Sequence, residues 1–128
     1  VTPLIIACQN GHSNVVSLFL KVKGIEVNHQ RKTGATSLFF ACKNGHTAVV
    51  NLLLQVYDLD YNLPAKDNMT PLWMACLHKH VDIVRLLLQQ PNIDLNRKQY
   101  QHGSAFEYAK LQQNNQTIIS LLASAGAK

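Results

Sequence analysis

Residues 2–20 read Thr2-Pro3-Leu4-Ile5-Ile6-Ala7-Cys8-Gln9-Asn10-Gly11-His12-Ser13-Asn14-Val15-Val16-Ser17-Leu18-Phe19-Leu20, and this order returns along the chain. Thr2-Pro3-Leu4 comes back as Thr36-Ser37-Leu38 and again as Thr70-Pro71-Leu72, with a step of 34 residues each time. Ser104-Ala105-Phe106 continues the series in weaker form. The pairs Ala7-Cys8, Ala41-Cys42 and Ala75-Cys76 keep the same step, as do Gly11-His12, Gly45-His46 and Lys79-His80. Val15-Val16, Val49-Val50 and Ile83-Val84 lead into Leu18-Phe19-Leu20, Leu52-Leu53-Leu54 and Leu86-Leu87-Leu88. Asn28, Asn62 and Asn96 close the units. Agreement at so many positions makes the chain a tandem array.

One unit can be read locally. Thr2 is an N-cap candidate, and Pro3 sits where a first helical turn tolerates it. The run from Leu4 to Asn10 gives about two turns of helix, which Gly11 can end in the left-handed conformation. A second helix starts near Asn14, and its Val15, Val16, Leu18, Phe19 and Leu20 are apolar on most sides, so neighbours must cover it on more than one flank. Gly24 to Asn28 is a short extended piece, and Gln30 to Ala35 is polar and turn-like around Gly34. Helices this short do not persist alone in water. Stability must come from stacking each unit on the next, which predicts an all-α repeat solenoid.

Length and composition agree. A chain of 128 residues, 47% hydrophobic and 15% charged, has room for one domain with a modest core and is too apolar for a disordered tail. No apolar stretch is long enough to span a membrane. Twelve Lys and Arg against seven Asp and Glu give +5, a mild bias that names no partner by itself. Three cysteines are too few for a disulfide scaffold and favour a reducing compartment, so a cytoplasmic, intracellular location is expected. The absence of an initiator Met before Val1 leads to the expectation of a fragment, with further repeats preceding it.

Thr-Pro-Leu, two small residues, Gly-His, then Ile/Val-Val-x-Leu-Leu-Leu and a closing Asn resemble the ankyrin repeat. The resemblance covers the whole chain as a single domain, 1–128, with units at approximately 1–30, 31–64, 65–98 and 99–128. It implies stacked helix-turn-helix units with projecting hairpin loops. Units of this family usually have 33 residues; the extra one here falls near Lys23, Tyr57 and Pro91, in a surface loop. The fourth unit lacks the Gly-His pair. Its polar residues and its Ala123-Ser124-Ala125-Gly126-Ala127-Lys128 ending suit a degenerate terminal cap with a wet outer face.

The residues that could carry chemistry do not converge. Equivalent positions in stacked repeats lie roughly 10 Å apart, whereas a disulfide needs Cα atoms within about 7 Å and zinc needs thiolates about 2.3 Å from one ion. Cys8, Cys42 and Cys76 therefore read as small buried residues, and His12, His46 and His80 fail the metal test on the same spacing. The resemblance gives those histidines a structural role, tying the turn between helices to backbone. No nucleophile elbow surrounds Ser13, Ser17, Ser37 or Ser104, and no glycine-rich phosphate loop is present. The acids Glu26, Asp58, Asp60 and Asp94 are scattered. No enzyme activity, metal or cofactor is expected.

What remains is binding. The resemblance implies a cupped hand, with hairpin tips as fingers and first helices as a concave palm, and a role as a protein–protein interaction module. Carried over by position, the fingers hold Arg31-Lys32-Thr33, Lys66-Asp67-Asn68 and Gln99-Tyr100-Gln101, with Ala35 and Met69 beside the tips. The helix ends supply Lys43-Asn44 and Leu77-His78. After Thr-Pro-Leu, where the family usually has His, stand Ile5, Phe39 and Trp73. They either form an apolar stripe along the palm, with Trp73 as an anchor, or pack against adjacent repeats. Arg31, Lys32, Lys43 and Lys66, with Arg97 and Lys98 beside them, fall on fingers or palm, which suits an acidic peptide or protein segment; Asp67 in mid-finger fits a mixed, solvated surface instead. The expected contact set is Lys32, Thr33, Ala35, Phe39, Lys43, Asn44, Lys66, Asp67, Met69, Trp73, Leu77, His78, Tyr100 and Gln101. Tyr100 is the only aromatic clearly on a finger, which argues against nucleic acid as the partner. A regulatory or targeting array serving a catalytic domain elsewhere is the second reading, and a monomer is expected.

Overall fold

Each unit begins with a hydroxyl that caps its first helix. The side chains of Thr2, Thr36, Thr70 and Ser104 accept from the backbone N–H three residues on, at Ile5, Phe39, Trp73 and Glu107, each at 3.1 Å. Such a cap fills one of the donors that a helix start leaves open. At Ser104 the cap is reciprocal, because Glu107 Oε1 accepts from Ser104 N–H at 3.0 Å. The computed structural model describes residues 2–113 and 115–128; the Val1 and Asn114 of the sequence reading lie outside the described residues.

Four caps start four helix pairs. They are α1 (Pro3–Gln9) with α2 (Ser13–Leu20), α3 (Ser37–Asn44) with α4 (Thr47–Leu54), α5 (Pro71–Leu77) with α6 (Val81–Leu88), and α7 (Ala105–Gln112) with α8 (Gln116–Ser124). Among the described residues there is no strand, only an isolated antiparallel bridge in each of two hairpin loops, Ala65 with Met69 and Gln99 with Gly103. First helices pack on first helices (α1, α3, α5, α7) and second on second (α2, α4, α6, α8). The helices form an all-α repeat solenoid, and none is long and apolar enough to cross a membrane.

The core runs the length of the stack. Leu4, Leu38 and Leu72 from the first helices meet Val16, Val50, Leu53, Val84 and Leu87 from the second, all buried in one cluster that Ile118 and Leu122 extend. Cys8, Cys42 and Cys76 are buried free thiols on the first helices. Burial pushes Cys8 up to about 11 and Cys76 up to about 12, and raises Cys42 as well, so all three stay protonated and unreactive near neutral pH. Among the described residues no group of His, Cys, Asp and Glu could hold a metal ion.

Two ladders of side chains bind unit to unit. The first uses the repeating histidine. His46 Nε2 donates to Gln9 O and His80 Nε2 donates to Lys43 O, both at 3.0 Å, so each ring closes the end of the preceding unit's first helix. The second uses the closing asparagine. Asn28 donates to Asp58 O at 2.8 Å and accepts from Asp60 N–H at 2.7 Å, and Asn62 makes the same pair with Asn92 O and Asp94 N–H at 2.8 and 2.9 Å. Asn96 accepts from Lys128 N–H at 3.0 Å. Each amide fills the open backbone groups of the next unit's loop, where no ladder of strands exists to do so.

The two ends of the stack differ. Ile6, Val15, Leu18 and Val22 are exposed on α1–α2 and the loop that follows, whereas Phe40 and Val49, the equivalents of Ile6 and Val15, are buried, and Leu52 and Val56, those of Leu18 and Val22, are half-buried. On α8 the exposed residues are Gln116, Thr117, Ser120, Ala123 and Ser124, small or polar.

Candidate partner-binding cleft

The hairpin loops project beside the first helices and are fastened to one another by backbone. Lys66 N–H donates to Thr33 O at 2.7 Å, and Tyr100 N–H donates to Asp67 O at 3.3 Å, the same kind of link one unit further on. The first loop is closed on itself by Arg31 N–H to Ala35 O at 2.9 Å and Gly34 N–H to Arg31 O at 2.7 Å. Gln30 adds side-chain bonds to Gly34 O at 3.1 Å and, across to the next loop, Pro64 O at 3.3 Å. A row of loops held this way cannot splay freely, which presents its side chains in a fixed order.

Between the first two loops and α3 lies a cleft of about 770 Å³. Ala35, Phe39 and Phe40 make its floor, with the two rings edge to face at 5.7 Å between centroids. Arg31, Lys32, Lys43 and Lys66 stand on its walls with His29 and Thr33. The Arg31 guanidinium lies over the Phe40 ring, 5.4 Å from its centroid, and this contact holds an otherwise flexible cation in place. None of the chain's seven acids lines the cleft. The ion pairs of the described residues are Asp82–Arg85, Asp94–Arg97 and Lys98–Glu107, so none of the four cleft cations has a carboxylate partner. Four like charges on one concavity, unrelieved by an acid, make a local positive field that the modest net charge does not reveal.

Six of the residues expected to meet a partner come together here: Lys32, Thr33, Ala35, Phe39, Lys43 and Lys66. Ala35 is buried, so it offers floor and not reach. Asn44 is exposed outside the cleft, and its amide donates to Gln9 O at 3.0 Å, a link between units. Asp67 is an exposed left-handed residue at the tip of the second loop. Met69 and Leu77 are half-buried against the core. Tyr100 is 77% exposed on the third loop, and Gln101, also exposed, donates its N–H to Gln99 Oε1 at 3.0 Å. His78 is exposed with its ring stacked on His80, 6.1 Å between centroids. Partial burial, then His80 and Lys43, hold the His78 imidazole below its ordinary pKa, so it adds no proton to the palm at neutral pH.

The apolar stripe is corrected by the structure. Ile5, Phe39 and Trp73 are 0%, 9% and 1% exposed, and only Phe39 reaches a surface, as cleft floor. Trp73 packs tilted against Tyr108, 4.9 Å between ring centroids and 44° between planes, and its ring lies 6.1 Å from that of His102. Its indole N–H donates to Gly103 O at 2.9 Å. The third loop and α7 thus cover the indole, and of the two readings of that position, packing against the adjacent unit holds. Sequence reasoning missed Phe40, whose place beside Arg31 depends on how the loop folds back. The signal available was that Phe stands there where the other units have Ile6, Met74 and Tyr108.

The stacked helix pairs and the linked row of loops define a class of protein, the repeat solenoids. A family model of ankyrin repeats (3 copies) matches residues 1–65 and 57–128, and the chain belongs to the ankyrin repeat family. Ankyrin repeats are in general protein–protein interaction modules. No curated protein matches the chain.

Proposed function

We propose that this chain binds an acidic segment of a partner protein in the cleft between its first two loops and α3, and performs no chemistry on it. The observation that carries this reading is the set of unpaired cations Arg31, Lys32, Lys43 and Lys66 around an aromatic floor. Uncompensated like charges repel, so they lower the stability of the free protein and give a return only when an anion arrives. A monomer in the cytoplasm, acting as a scaffold or as the binding part of a larger protein, fits this role.

The test is a photo-reactive amino acid placed at Thr33, on the cleft wall, or at Asn51, exposed on α4 and outside the lining. After irradiation in lysate, the reading expects a protein captured through Thr33 and not through Asn51, and displaced by an excess of polyglutamate. Capture through Asn51 alone would move the site to the second helices and overturn it.

A further inference from the structure

We propose that the bound segment adopts a polyproline-II conformation, with anionic side chains three residues apart at one end and an apolar side chain three residues beyond them. This rests on the cleft reading above and extends it along the stack.

The 34-residue register lines up equivalent side chains along the stack. Positions 32, 66 and 100 are one site on three successive loops, and they hold Lys32, Lys66 and Tyr100. Positions 43, 77 and 111 are one site near the ends of three successive first helices, and they hold Lys43, Leu77 and Leu111. Both rows change from cation to apolar in the same direction. Tyr100 and Leu111 are 77% and 78% exposed, so the apolar end lies open on the surface. The loop row keeps its register because Lys66 is bonded to Thr33 and Tyr100 to Asp67 through backbone. Asp67 is the one acid on the row; it stands beside Lys66, outside the cleft lining and without an ion pair.

A ligand that follows such a row must repeat at the spacing of the repeats, roughly 8–10 Å for packed helices. A polyproline-II chain has three residues per turn and rises about 3.1 Å per residue, so every third side chain returns to the same face after about 9.3 Å. A β-strand returns a side chain after two residues, about 6.6 Å, and loses register with the next loop. An α-helix matches only through residues seven apart, about 10.5 Å, and brings a cylinder about 10 Å wide. The aromatic surface favours the slimmer form. The exposed Tyr100 is a ring face of the kind on which proline-rich segments dock, and such segments lose little entropy on binding.

Fluorescence anisotropy with labelled peptides tests this. Glu-Pro-Pro-Glu-Pro-Pro-Leu and its reversed sequence carry the proposed spacing in the two chain directions. Glu-Pro-Glu-Pro-Pro-Pro-Leu has the same composition with the acids two apart, and an alanine-based helix with glutamates seven apart is the helical competitor. One of the first two should bind roughly tenfold more tightly than either competitor. Lys32→Glu with Lys66→Glu should remove that binding, and Tyr100→Ala should weaken it several-fold while leaving a peptide without the leucine unaffected. Thermal melts show which variants are folded, and these side chains are exposed. Equal binding of all peptides, still lost on charge reversal, would overturn the spacing while the acidic cleft stood. Preference for the helix, or indifference to Tyr100→Ala, would overturn it too. Binding untouched by charge reversal would bring down the cleft reading as well.

Discussion

Gly11 shows how one residue can be fixed by a partner in the next unit. Its φ of +74° already favours glycine, and a Cβ there would lie 2.5 Å from His46 Nδ1. Gly45 stands in the same relation to His80, at 2.7 Å from its Cε1. The unit whose successor has no such histidine carries Lys79 at this position, with φ of 61°. The glycine is therefore required where a ring stacks over it and dispensable where none does. Gly11→Ala should cost more than about 1 kcal/mol in denaturant unfolding. Adding His46→Ala should change that cost non-additively, because the ring the new methyl meets is then gone. Lys79→Gly should stabilise by up to about 1 kcal/mol by releasing a left-handed residue. Equal and additive effects of Gly11→Ala with and without His46 would show that backbone conformation alone sets the requirement.

At the scale of elements, the units are joined by side chains that read the backbone of their neighbours. Asn62 bridges Asn92 O and Asp94 N–H, so Asn62→Ala leaves both loop groups without their partner and should cost about 1–3 kcal/mol. Asn51→Ala, on an exposed helical face, should change stability by less than about 0.5 kcal/mol. Chemical denaturation of the two variants separates these outcomes, and equal midpoints would remove the asparagine ladder from the account. The helix pairs were legible in sequence because caps, glycines and apolar triplets are local signals that recur at one step. The asparagine series was legible as punctuation only, since its partners lie in the next unit. Trp73 was misplaced onto the palm as one of two readings because its burial depends on the third loop and α7, which fold over it from 30 or more residues away. Phe40 became visible as cleft floor only once the loop placed Arg31 over its ring.

For the whole molecule, equivalent positions should differ in cost according to their place in the stack. Leu53 is fully buried between flanking pairs, so Leu53→Ala should lose about 2–5 kcal/mol and weaken both of its interfaces. Leu18, 66% exposed on α2, should tolerate alanine within about 0.5 kcal/mol. Melts of these two variants that coincided would contradict a core running along the array. The charges follow a different logic from the core. The cleft gathers Arg31, Lys32, Lys43 and Lys66 with no acid among them, whereas Arg85, Arg97 and Lys98 are each paired elsewhere. A surface arranged for folding alone would mix the signs. The measurement that tests this most directly is the melting temperature of Lys32→Glu with Lys66→Glu, taken beside its capture of the protein that cross-links through Thr33. A melting temperature equal to or above that of the unaltered chain, with capture lost, is the expected result. A melting temperature that falls together with capture, or capture that survives the reversal, would contradict it.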